Sequence, residues 1–178
     1  MNQSFRSTRP GKDEHIEYYS TYIAKVPDGD IVDTLTRQLP EITGFLRSIP
    51  AEKHDYAYAP GKWTIKQIVG HLSDGERVFQ YRAFRFSRAD STPVPGFDEN
   101  LYVDNAPSPN VSMSNLIAEF EDLRRASIHL IGNLSEEAMS RRGTANGDEI
   151  SVRAIAYILA GHVTHHQGVI RSKYLNES

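Results

Sequence analysis

The sequence predicts an all-α protein, a four-helix bundle built as a single domain. Four stretches of the 178-residue chain repeat apolar residues at the three-and-four spacing of a helix. Each runs for about 20 residues, and polar segments rich in Pro, Gly and Asn separate them. Runs that alternate apolar and polar residues, the mark of strands, are scarce.

Residues 1–15 read as a flexible polar arm, and residues 16–178 as the domain. The domain starts with a dense aromatic patch, Tyr18, Tyr19 and Tyr22, too apolar for a free arm. It is expected to pack on the bundle or at a subunit interface. After the turn "PDGD", the stripe Ile31, Leu35, Leu39, Ile42, Phe45, Leu46 and Ile49 predicts the first long helix, which Pro40 should kink or split. "WTIKQIVGHLSDGERVFQYRAFRFSR" carries the second. Thr64 and Gln67 form a capping box at its start, and Ile65, Ile68, Leu72, Phe79 and Phe86 mark its apolar face. "ADSTPVPGFDENLYVDNAPSPNV" follows, a connection too long for a simple turn and of the kind that often carries function. Residues 113–134 form the third helix, with Leu116, Phe120, Leu123 and Leu130 inward. A connection with turn chemistry at Asn146-Gly147 leads to the fourth helix, from Ser151.

Composition narrows the function. With 20 basic and 23 acidic residues the net charge is −3, which argues against nucleic acid or an anionic membrane as main partner. The chain has no cysteine, so disulfides, Cys-based zinc sites and a thiol nucleophile of its own are excluded. No apolar run reaches the ~18 residues of a membrane span. The N-terminus lacks the apolar core of a signal peptide, and a soluble cytoplasmic protein is expected.

The fourth helix contains "GHVTHHQGV", three of the seven histidines within a core-like segment. His162 and His166 are four apart and share a face with Val152, Ile155, Leu159 and Val169. Two imidazoles so spaced can reach one metal ion, and His71, beside Ile68 and Leu72 on the second helix, can supply a third nitrogen. Three histidines leave a coordination position open, as catalytic rather than structural zinc sites do. Ordinary hydrogen-bonded core histidines fit the same spacing. The segment lacks the His-Glu-x-x-His base of metalloproteases, and no Glu-x-x-His pair of a di-iron bundle exists. His165 is turned 100° from His166 and reads as exposed or as an outer neighbour of the ligands. His15, His54 and His129 read as surface residues.

Other residues have candidate roles. Asp74, three after His71, can hydrogen-bond a ligand histidine or act on bound water, or be a plain solvated residue. Glu76 points elsewhere and can pair with Arg77 or a neighbouring helix. Asp98 or Asn100 of the long connection can approach the open position. Arg82 and Arg85 can bind carboxylates of a substrate or simply line a polar face. Trp63 reads as a packing anchor.

"GKWTIKQIVGHLSDGERVF", "PGFDENLYV" and "HVTHHQGVIR", in that order, resemble the DinB/YfiT-like superfamily of metal-dependent enzymes, closest to its DinB-like subgroup, over residues 18–175. The resemblance implies an up-down-down-up bundle with a long crossover between helices 2 and 3. It implies that His71, His162 and His166 bind one divalent ion, zinc or nickel, and it suggests a homodimer. It implies a small-molecule substrate and an activity among thiol-dependent transferases, which use a low-molecular-weight thiol cosubstrate, or hydrolases. The alternative is a metal-binding stress or interaction protein without catalysis.

Overall fold

The structure, a computed structural model, describes residues 5–176. Four long helices form the bundle: α2 (Ile31–Ser48), α3 (Ile65–Ser87), α5 (Met113–Gly132) and α7 (Val152–Val169). Three short ones join them: α1 (Glu17–Ile23), α4 (Glu99–Asn105) and α6 (Glu136–Ser140). A hairpin of β1 (Arg142–Ala145) and β2 (Asp148–Ser151) precedes α7. It was not expected from the sequence, since each strand is only one short run. Asn146 and Gly147 turn it with φ of 56° and 88°, the left-handed pair of a two-residue hairpin loop.

Side-chain bonds fix the helix directions. On α2 and α5, Gln38 meets Arg124 and Arg47 meets Glu121, so positions rise on one helix as they fall on the other. On α3 and α5, Glu76 meets Arg124 and Gln80 meets Ser127, a parallel pair. On α2 and α7, Gln38 meets Ala160 and Phe45 lies under Arg171, also parallel. Tyr174, just beyond α7, donates to the Trp63 carbonyl just before α3, which sets those two antiparallel. The order is up-down-down-up. Because α3 and α5 run in the same direction, the chain must travel back along a helix roughly 34 Å long before α5 can start. Residues 88–112 make that return and carry α4 on the way.

The core is two apolar clusters. One gathers Ile31, Leu35, Phe79, Phe86, Ile155 and Leu159, the other Ile42, Leu46, Ile68, Leu72, Phe120 and Val163. Between them lies a buried polar layer. Arg124 is fully enclosed and forks onto both Glu76 oxygens at 2.9 and 2.8 Å. It also donates to Gln38 Oε1 at 2.7 Å and the Leu159 carbonyl at 2.9 Å. Gln38 Nε2 in turn donates to the Ala160 carbonyl and Thr164 Oγ1, both at 2.9 Å.

Pro40 does not split α2, which runs unbroken through it. Pro40 and Thr36, whose carbonyl loses its helical partner, are both exposed, so water can serve that carbonyl. The described part of the arm makes hydrogen bonds to the bundle. Arg6 donates to the Gly132 carbonyl, and Arg9 to the Ile23 and Val26 carbonyls, both at 2.7 Å. Glu14, buried, accepts from Ser151 at 2.7 Å and Arg153 at 2.9 Å. These polar residues are spent on backbone and charge partners, which composition alone does not reveal. Residues 1–4 lie outside the described ones.

Candidate metal centre

Helix α3 brings His71 to the bundle axis on its second turn, where antiparallel α7 presents His162 and His166. Two glycines make the approach possible. A Cβ on Gly75 would stand 3.0 Å from the His162 ring, and one on Gly161 would stand 2.0 Å from the Tyr22 carbonyl oxygen. The second contact lets α1 lie directly on α7, so the tyrosine patch packs on the bundle. Tyr22 sets its ring edge-on to His162 at 5.6 Å and to His165 at 5.4 Å, and Tyr19 meets Phe79 at 5.9 Å.

The nitrogens of His71, His162 and His166 lie within 4.8 Å of one another. His71 Nε2 and His162 Nε2 are 3.0 Å apart. Nitrogens each ~2.0–2.1 Å from a tetrahedral zinc stand roughly 3.4 Å apart, so the spacing is near that of a shared ion. Each neutral imidazole carries one N–H and one bare lone pair. Here one mutual contact is made, while the Nδ1 atoms of His71 and His166 are enclosed with no partner. Such buried orphans cost about 1–3 kcal/mol each. The nitrogens that face one another, Nε2 of His71 and of His162, are the ones that could hold a shared ion.

Burial pushes the His71 imidazole down to about 4, with the neighbouring His165 adding to it. Burial likewise takes His166 to about 3, helped by His71 and His165. His162 is held well below the usual imidazole range, first by burial and then by the other imidazoles and Arg124. All three are neutral near pH 7, the form in which imidazole ligates metal.

The cluster faces a cavity of about 370 Å³. Trp63 packs against His71 at 4.8 Å and forms one wall, and Tyr18, Tyr19 and Tyr22 form another. Gly96, Phe97 and Glu99 of the crossover and Asn146 of the hairpin tip close the far end. The long connection therefore does cover the cavity, but through residues other than those expected. Asp98 is spent as the cap of α4, accepting from the Asn100 and Leu101 amides. Asn100 lines a second opening, together with Trp63, His165 and His166.

Asp74 is not brought to the histidines. It lies in a groove with Leu101, Tyr102 and Pro107 and faces Arg77 at 3.9 Å. Glu76 takes the neighbouring-helix partner, Arg124. Of the two arginines, Arg82 lines the cavity, whereas Arg85 pairs with Asp90 at 2.6 Å outside it. His165 is half-buried and outside the cluster. His15 and His54 hydrogen-bond backbone carbonyls, and His129 is exposed. Sequence reasoning missed the Arg124 network. Its signal was a charged residue in core register, four after Phe120 and seven before Ile131.

Three histidines of this bundle, on α3 and α7, thus converge at one cavity in an arrangement compatible with a divalent metal. The model of the DinB superfamily matches residues 34–170, and the chain belongs to that superfamily. A protein of Oceanobacillus iheyensis, OB0413, is 29% identical over 150 residues, covering 83% of each chain. YfiT of Bacillus subtilis is 26% identical over 112 residues, covering 62% of each. Both are provisionally named metal-dependent hydrolases. The solved structure of B. subtilis YfiT, described as having an unusual four-helix bundle topology, superposes with a TM-score of 0.70. It covers 96% of this chain and 95% of that one, at 19% identity. No helix among the described residues is long and apolar enough to cross a membrane.

Proposed function

We propose that the chain is an enzyme that hydrolyses a small molecule at an open divalent-metal centre held by His71, His162 and His166. The observation that carries this is the convergence of three neutral imidazoles, one nitrogen from each within 4.8 Å of the others, at the wall of a cavity. A bound divalent ion supplies Lewis acidity, lowering the pKa of water or of a thiol at the open position. The chain's own residues do the rest. Burial keeps the imidazoles unprotonated, Trp63 and the tyrosines exclude bulk water, and the cavity has room for a small molecule. Imidazole nitrogen suits zinc and nickel, and these are the proposed ions.

Thiol transfer is the second reading. The chain has no cysteine, so a thiol would have to be a cosubstrate. The second opening beside His166 offers it a separate approach. A homodimer in the cytoplasm, with no nucleic-acid partner, completes the proposal, and metal binding without catalysis is its fallback. The test is metal content per chain of untagged protein loaded with zinc or nickel, followed by turnover of ester, amide and thiol–electrophile panels. One ion per chain with ester or amide turnover is expected. Turnover only with an added thiol would favour transfer, and no retained ion under any loading would remove the reading.

A further inference from the structure

Arg82 is 3% exposed yet lines the cavity, and it is the one permanently cationic side chain there. Nearby arginines have carboxylate partners: Arg77 pairs with Glu119, Arg85 with Asp90, and Arg124 with Glu76. Arg82 pairs with none among the described residues. One N–H donates to the Pro95 carbonyl at 3.2 Å, and the guanidinium also lies beside the Tyr19 hydroxyl. Its guanidinium carbon stands over the Phe79 ring, 5.5 Å from the centre, and over the Phe97 ring, at 6.0 Å. A guanidinium cannot shed its proton, so a buried one without a counter-charge is costly unless something supplies that charge.

Its position along α3 is equally informative. Arg82 follows His71 by eleven residues, which is three turns and almost the same face. Gly75 and Phe79 lie between them on that face. The axial rise is about 16 Å, and long helical side chains lean toward the N-terminus, so the guanidinium leans back toward the histidines. The cavity thus offers imidazole nitrogens and, three turns along α3, a buried guanidinium without an ion pair; the Glu99 carboxylate in the same lining is exposed and does not pair with it.

We propose that Arg82 binds an oxyanion, a carboxylate or phosphoryl group, at the far end of the substrate, whose apolar body lies along Phe79 and Phe97. The planar fork of N–H donors suits a bidentate oxyanion. This rests on the cavity being the substrate site of the proposed enzyme. It adds a substrate class: small, apolar-bodied and anionic at the end remote from the histidines.

The test uses metal-free protein, so that a ligand cannot be held by an ion. Trp63 is the only tryptophan and lines the cavity, which makes its fluorescence a built-in reporter. Benzoate, phenylacetate and 3-phenylpropionate, their uncharged amides, and phenylphosphonate are titrated, with calorimetry as a check. At least one acid should bind at least about tenfold tighter than its amide. Arg82→Gln should erase that preference, Arg82→Lys should keep part of it, and Arg85→Gln should leave it unchanged. Phenylphosphonate against the best carboxylate tells which oxyanion is preferred. Equal binding of acid and amide by wild type, a preference that survives Arg82→Gln, or no binding of any probe overturns the proposal. If Arg82→Gln does not fold by circular dichroism, the wild-type acid-to-amide ratio and its change in Arg82→Lys decide. Metal content is measured separately. Anion binding with no metal retention sinks the hydrolase reading alone, and the reverse sinks the anion site alone.

Discussion

Glu76 and His71 stand five residues apart on α3, both buried, at 2% and 6% exposure. Glu76 belongs to a network whose members are paired: Arg124 takes both its oxygens, and Gln38 and two backbone carbonyls complete the set. Around His71 the partners run out after one contact, leaving two nitrogens enclosed and alone. The closed network joins α2, α3, α5 and α7 and fixes their register. The open cluster leaves polar atoms unpaired at a cost in stability, which sets it apart from the scaffold around Glu76. Buried polar residues on one helix thus divide by whether their hydrogen bonds are complete.

Breaking the closed side should give the largest effect. Arg124→Met leaves the Glu76 carboxylate buried without a counter-charge and should cost roughly 3–5 kcal/mol. Replacing Glu76 by Met as well should recover much of that loss. Urea unfolding measures both, and a loss below about 1 kcal/mol for Arg124→Met would mean that the pair does not hold the bundle.

Acid should strike the open side next. His71 titrates near 4 when folded and near ~6.5 when unfolded. The folded value is the lower one, so the unfolded chain takes up the proton first. His71 thus contributes on the order of 3 kcal/mol to the metal-free protein, present above about pH 6.5 and lost as pH drops toward 4, and the lowered His162 and His166 add to the loss over the same range. His71→Ala should make that part of the profile shallower by its share. If it titrates like wild type, burial of this ring is not the source.

Third in size is metal affinity. His71→Ala, His162→Ala and His166→Ala should each lower it by about a hundredfold or more, while costing the metal-free fold less than Arg124→Met does. His165→Ala should change it by no more than about threefold, because its ring points 100° away from that of His166. Metal content after dialysis against a competing chelator separates the cases. Equal losses for His165 and His166 would mean that the cluster is not the binding site.

What could be read in advance follows from where the information lies. The helical period alone aligns His162 with His166 and turns His71 inward, so the triad was legible, as were the capping box at Thr64 and the turn at Asn146-Gly147. The bundle's direction sequence came from resemblance, because periodicity gives the faces of helices and not their order in space. Arg124 and Gln38 sit in apolar register, but their partners lie 48 and 86 positions from Arg124 along the chain. No local pattern carries such pairings. The arm escaped for the same reason: Glu14 meets Arg153 only because the fold brings the two ends together.

Asp74 marks the boundary between the two kinds of polar residue, and it should give the smallest effect. Three residues after His71, it is 60° round the helix, enough to turn it from the cavity to the groove beside α4. Burial raises its carboxyl above the usual range, opposed by Arg77 and supported by Glu119. A carboxyl raised in the folded state disfavours folding slightly once it is ionised, so Asp74→Asn should be neutral or stabilising by a few tenths of a kcal/mol near pH 7. The mutant should retain as much metal as wild type, because the side chain touches none of the three rings. Metal content and urea midpoint, measured side by side, test both halves. A clear loss of metal would return Asp74 to the neighbourhood of the ligands and would require a different rotation of α3 about its axis.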